Sequence, residues 1–169
     1  MAAPLVVLDI DGVLADVRHR LHYLARRPKD WEGFFAAAAD DQVLAAGAEF
    51  ARRAASTHDV VYLTGRPARL RAATERWLDA QLLPPGRLVM RSDGDRRPSA
   101  VVKLHELRAL RRESAVDLLV DDDPSVVDAA RAAGFTVQLA DWMPRPEDAE
   151  LPLFDRDLLR DAQQRDGRT

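Results

Sequence analysis

Five short apolar runs, each parted from the next by a stretch with helical spacing, fill the first 140 residues. This alternation constrains the fold more than any other feature of the chain. The runs are residues 5–9, 59–63 (DVVYL), 87–90 (RLVM), 116–120 (VDLLV) and 135–139 (FTVQL). Runs of this length with β-branched content read as buried strands. Helices are expected over residues 43–56, 67–82, 99–112 and 124–133. The second places Leu70, Ala73, Trp77 and Leu78 on one face, with Pro67 suited to the first helical position. Ser99 is a candidate N-cap for the third. Asp123-Pro124 and Gly134 supply a start and a stop for the fourth. Strands joined through helices form a parallel sheet covered on both faces. The expected fold class is therefore α/β, a doubly wound, five-stranded, Rossmann-like parallel sheet. Ligands of such sheets bind beyond the C-terminal strand ends, where the strand order switches.

With 169 residues, one domain with a substantial core is expected. We assign it to residues 1–140, with a small flap-like insertion at 15–42. Residues 141–169 read as an acidic tail, a linker followed by a short terminal helix docked through Leu158 and Leu159. The absence of cysteine excludes disulfides and thiolate metal sites. No apolar run approaches the roughly 20 residues of a membrane span, and no secretion signal is visible, so a cytoplasmic protein without a membrane partner is expected. The net charge of −3 arises entirely in the tail; residues 1–140 balance 20 acids against 20 bases. The chain as a whole is thus no basic nucleic-acid binder. A local cluster does occur: Arg18, His19, Arg20, His22, Arg26, Arg27 and Lys29. It is either a solvated face or, with Arg20 among the candidates, a track for a nucleic-acid backbone. Trp31, Phe34 and Phe35 are expected to pack as core, with base stacking as the alternative.

Chemistry-bearing residues gather where the strands end. Asp9 and Asp11 close the first run before Gly12. Two buried carboxylates need a cation, a shared proton or a task; a solvated turn is the simpler alternative. Thr64-Gly65-Arg66-Pro67 ends the second run. A hydroxyl, a glycine backbone and a guanidinium at a helix start make a phosphate cradle, unless they form an ordinary turn. Lys103, one of only two lysines, shares a helical stripe with Ala100, Leu104, Leu107 and Leu110. It either snorkels to water or stands as a fixed charge at the sheet mouth. Asp121, Asp122 and Asp123 follow the fourth run. Asp123 is explained as an N-cap; Asp121 and Asp122 are expected to face the site. This density of oxygen ligands suits Mg²⁺.

In this order and spacing, DxDGV, Thr64, Lys103 and the late Asp pair resemble the four motifs of the haloacid dehalogenase superfamily of phosphotransferases. The resemblance implies that Asp9 is the nucleophile and Asp11 the general acid and base. It implies that Thr64 and Lys103 hold phosphoryl oxygens, and that Lys103 restrains Asp9. Mg²⁺ would be bound by Asp9, the Asp11 carbonyl, Asp121 and Asp122. A narrower similarity lies in LDIDGVLADVRHRLHYL, PKDWEGFF, LTGRP and MRSDGDRRPSAVVK, which look like the phosphatase domain of bacterial and phage polynucleotide kinase-phosphatases. That likeness implies removal of 3′-phosphates from DNA or RNA ends. It places Arg91, Asp95 and Arg97 near the phosphate pocket, with Gly65 and Arg66. No GxxxxGK[ST] sequence occurs, so no 5′-kinase activity is expected and a separate kinase or ligase partner is a candidate. About 38 residues separate Thr64 from Lys103 and already hold a helix and a strand, leaving no room for a large cap. Three functions stay open: a polynucleotide 3′-phosphatase, a phosphatase of mononucleotides or other small esters, and a phosphate-binding module without turnover. Oligomeric state is open too.

Overall fold

The computed structural model describes residues 3–144 and residue 161. A parallel five-stranded sheet forms its centre. The chain enters it at β1 (Leu5–Leu8) and returns through β4 (Asp59–Pro67), β5 (Gly86–Arg91), β6 (Val116–Asp121) and β7 (Val137–Leu139). The strand order is β5-β4-β1-β6-β7. The chain thus adds strands to one side of β1, then crosses to the other. The switch in order falls between β1 and β6.

Alternation along the strands sends neighbouring residues to opposite faces. Val6, Leu8, Val60 and Tyr62 pack with Ala48, Ala51, Trp77 and Leu78. These belong to helices α3 (Ala45–Ala54) and α4 (Arg71–Ala80). Val7, Val61, Leu63 and Leu119 pack with Leu107, Leu110, Val126 and Ala130, from α5 (Ser99–Glu113) and α6 (Pro124–Ala132). The fold expected from the sequence is the one found, with no large cap among the described residues.

Three local expectations change. Pro67 does not open α4; it ends β4 in extended conformation (φ −66°, ψ 147°), and a 3-10 turn over Ala68–Leu70 precedes the helix. Ser99 is not the N-cap of α5 but its first residue; Pro98 is the cap, and the Ser99 hydroxyl is buried without a partner among the described residues. The second strand runs on through Thr64-Gly65-Arg66, with an irregularity against β5 between Thr64 and Pro67. That irregularity turns the cradle residues out of the plain ladder. By contrast Asp123 caps α6 as expected, accepting from Ser125 N at 2.8 Å, and Gly134 ends it at φ +79°.

The insertion at 15–42 has its own core. β2 (Ala15–Asp16) and β3 (Gln42–Val43) pair antiparallel at its base. Between them lie short helices α1 (His22–Ala25) and α2 (Trp31–Ala36). Trp31, Phe34 and Phe35 are buried with Val17, Leu21, Leu24, Leu44 and Met143. They serve as packing and not as an open stacking platform. The tail beyond residue 144, including Leu158 and Leu159, lies outside the described residues apart from Asp161. Among the described residues no helix is long and apolar enough to cross a membrane.

Candidate active site

β1 is hydrogen-bonded to β4 on one side and to β6 on the other, with Leu8 level with Tyr62 and Val120. This register sets Asp9 beside Asp121, and the Asp9 N–H donates to the Val120 carbonyl at 3.0 Å. Thr64 stands two residues beyond Tyr62 at the same edge. Lys103, one turn into α5, is buried. Its Nζ lies 2.7 Å from Asp9 Oδ2 and 2.7 Å from Asp121 Oδ2. The lysine therefore bridges the two central strands. The other Asp9 oxygen accepts from Ile10 N–H at 2.7 Å, and Asp121 Oδ1 accepts from Asp123 N–H at 3.0 Å.

One ammonium faces more than one carboxylate here. Asp9, Asp121 and Asp122 each bring an oxygen within 4.8 Å of the others. Burial raises the pKa of all three, and repulsion adds to it: from Asp121 and Asp11 on Asp9, from Asp9 and Asp121 on Asp122, and from Asp123 on Asp121. For Asp9 burial outweighs the attraction of Lys103 and the value rises to about 7; Asp121 and Asp122 also rise. Burial works against the Lys103 charge, but Asp121 and Asp9 outweigh it and raise its pKa. Asp122 adds an orphan: its Oδ1 is buried with no hydrogen-bond partner among the described residues. Gly12, at φ +82°, leaves the space Asp122 occupies, since a side chain at position 12 would overlap that carboxylate. An excess of buried negative charge with an unsatisfied acceptor fits a small divalent cation with oxygen ligands.

Asp11 takes no part in that cluster. Its side chain turns the other way, towards two buried guanidinium groups. Asp11 Oδ1 accepts from Arg20 Nη2 at 2.9 Å, and from Arg66 Nε at 3.0 Å and Nη2 at 2.5 Å. Burial works to raise its pKa, but Arg20 and Arg66 outweigh it and hold Asp11 at about 2. The same guanidinium groups share a second carboxylate, Asp41. Arg20 donates to it through Nε and Nη2, both at 2.7 Å, and Arg66 through Nη2 at 2.8 Å. His19 Nε2 lies 2.8 Å from the same group, and Trp77 Nε1 donates to the Asp41 carbonyl at 2.8 Å. Arg20 also stacks over Phe34, 4.2 Å from the ring centroid. The two acids of the DxD motif thus sit in different environments, one beside a lysine and one inside an arginine pair.

The other expected contacts divide. Thr64 is buried, and its Oγ1 accepts from Arg66 N–H at 3.2 Å. Gly65 presents its carbonyl to Arg91 Nε at 3.3 Å. Arg91 is buried and ties down the loop after β5, donating to the carbonyls of Arg97 and Asp95 at 2.8 and 3.4 Å. Arg97 is exposed and forked on Asp95 through Nε and Nη2. Arg20 and Arg66, expected to meet substrate, are occupied by Asp11 and Asp41. The basic cluster of the insertion is largely paired: Arg18 with Asp16 and Arg26 with Asp30 inside the insertion, and Lys29 with Asp161 of the tail. Asp41 was no sequence candidate. Its only signal was position, an acid closing an alanine run just before β3.

Comparison with known proteins fits this geometry. A family described as the polynucleotide kinase PNKP phosphatase domain matches residues 3–141. The chain belongs to this family. It is accordingly a phosphatase domain of the haloacid dehalogenase superfamily. Two solved structures, one of the Pnkp1/Rnl/Hen1 RNA repair complex and one of a Pnkp1/Rnl/Hen1 complex, hold chains of similar fold. In one the TM-score is 0.69 at 26% identity, over 81% of this chain and 42% of that one. In the other it is 0.70 at 25%, over 82% and 45%. The chain thus spans less than half the length of those relatives. A hydrolase from Streptococcus pneumoniae TIGR4 shares the fold at TM-score 0.56 and 14% identity, over 82% of this chain and 93% of that one. No curated protein sequence matches.

Proposed function

We propose that the chain is a Mg²⁺-dependent phosphomonoesterase that removes 3′-phosphates from polynucleotide ends through an aspartyl-phosphate. The observation that carries this reading is the Asp9 carboxylate at the switch point of the sheet. It is fixed by Lys103 on one oxygen and lies beside Asp121 and Asp122.

In this reading the Asp9 carboxylate attacks phosphorus and forms an acyl-phosphate bond as the ester P–O bond breaks. The leaving oxygen takes its proton from Asp11. Water then attacks the aspartyl-phosphate, Asp11 accepts the water proton, and inorganic phosphate leaves with Asp9 restored. Lys103 and Thr64 hold the phosphoryl oxygens. A divalent cation bound by Asp9, Asp121, Asp122 and the Asp11 carbonyl would neutralise the acids and stabilise charge developing on the phosphoryl group.

Held by two guanidinium groups, Asp11 is suited to accept a proton and not to give one. An incoming phosphate dianion is a competing acceptor for Arg66 and Arg20. Their transfer to phosphate oxygens loosens the grip on Asp11 and raises its proton affinity, which is the change an acid requires. The arginine pair thus serves the resting carboxylate first and the substrate second.

The similar chains in RNA repair complexes support nucleic-acid ends as substrates and a separate kinase or ligase as partner. The test is phosphate release with Mg²⁺ from a 3′-phosphorylated oligonucleotide, beside a nucleoside 3′-monophosphate and a nucleoside 5′-monophosphate. Preference for the oligonucleotide is expected. Equal or faster turnover of the mononucleotides would make this a phosphatase of small esters instead.

A further inference from the structure

Beside the phosphoryl cradle lies a cleft of about 130 Å³ between the insertion and the loop after β5. Phe35, Pro67, Arg69, Arg91, Asp93, Asp95 and Arg96 line it. It adjoins the site through the backbone. Pro67 directly follows Arg66 and is paired with Arg91, which in turn donates to the Gly65 carbonyl.

Five of these seven residues are charged, so the charges decide what fits. Both carboxylates are already engaged. Asp95 accepts from Arg97 through backbone and side chain. Asp93 accepts the Arg69 N–H at 2.9 Å, with the Arg69 guanidinium 3.7 Å away. Arg91 is turned inward to main-chain carbonyls. Arg96 is exposed and has no hydrogen-bond or ion-pair partner among the described residues. Arg69 keeps an exposed guanidinium held over the Phe35 ring at 5.7 Å. Both acids of the cleft are engaged, and Arg69 and Arg96 present exposed guanidinium groups to it, so the charge open to a ligand is positive. Phe35 is only 5% exposed, so it offers no open face for a base. An anion fits this cleft better than a ring.

We propose that this cleft is a second anion subsite, in which Arg69 and Arg96 clamp the phosphodiester next to the terminal nucleotide. The proposal rests on the polynucleotide reading above and names the contact that enforces it. A 3′-phosphorylated oligonucleotide carries an internal phosphodiester one nucleotide from the group removed; a mononucleotide does not. Guanidinium groups bind such oxygens through charge-assisted, forked hydrogen bonds. The pair is therefore specificity-determining for polymer against monomer.

The experiment compares wild type with R69A/R96A and with R96A alone. It measures kcat/KM for a 3′-phosphorylated oligonucleotide and for a nucleoside 3′-monophosphate, and KM for the oligonucleotide over a salt series. The oligonucleotide-to-mononucleotide ratio should fall about tenfold in the double variant and less in the single one. The salt slope of the oligonucleotide KM should shrink by about 0.7, the value for one phosphate contact on a single strand. If wild type prefers the oligonucleotide and the double variant keeps both ratio and slope, the subsite is overturned while the polynucleotide reading stands. If wild type shows no preference, the polynucleotide reading fails and the subsite fails with it.

Discussion

At the scale of single residues, environment separates two aspartates that are neighbours in sequence. Asp9 lies against Lys103 and two further acids, and Asp11 lies against two arginines. Asp9→Asn should lower phosphate release by about 10³-fold or more while the fold persists, because Lys103 retains Asp121 as a partner. Circular dichroism beside the phosphate assay checks both halves. Asp41→Ala should act differently. It strips a fully buried carboxylate from Arg20 and Arg66, and breaking such a pair from one side costs about 3–5 kcal/mol. Urea unfolding would read that loss; a change under about 1 kcal/mol would show that the arginines find other partners. Gly12→Ala introduces a side chain at φ +82° and into the Asp122 carboxylate. It should lower stability and divalent-cation affinity together, and isothermal titration with Mg²⁺ tests the second.

Elements carry these residues to one edge. β1 ends at the switch point, β4 brings Thr64 alongside it, β6 brings Asp121 and Asp122, and α5 brings Lys103. This much was legible in the sequence, because each residue follows or faces a short apolar run and the sheet aligns the ends of such runs. The insertion was less legible. Its two strands are two residues each and its helices four and six, too short for a period to show. Its partners lie far apart in the chain: Arg20 meets Asp41 21 residues on, and Arg66, from β4, meets Asp41 across 25. No local pattern announces such pairs, so sequence alone leaves the arginines free for substrate and does not single out Asp41. Pro67 closes a strand and Ser99 follows a cap because both residue types suit more than one position at such a boundary. Phe34 ties the insertion core to Arg20. Phe34→Ala should cost about 3–5 kcal/mol. Hydrogen exchange should show faster opening of residues 17–44 than of the central strands; uniform opening would mean that the insertion and the sheet unfold as one unit.

For the whole molecule, the central strands collect negative charge at one edge and leave it incompletely balanced. A divalent cation should then stabilise the fold. At about 100 times its dissociation constant it contributes about 2.7 kcal/mol, which raises Tm by about 5 °C or more for a chain of this size. The rise should be lost in Asp122→Asn, where an orphaned acceptor loses its charge; an equal rise in both proteins would place the cation elsewhere. Among the described residues no large cap covers the mouth of the sheet, which suits the polynucleotide end proposed as substrate. The proposed nucleophile is Asp9. The most direct test is acid quenching of wild type during turnover of a 3′-phosphorylated oligonucleotide with Mg²⁺, followed by peptide mass spectrometry. The account predicts one phosphoryl group on the peptide that holds Asp9, absent when Asp9→Asn is treated alike. Turnover without that adduct, sustained by Asp9→Asn, would contradict it.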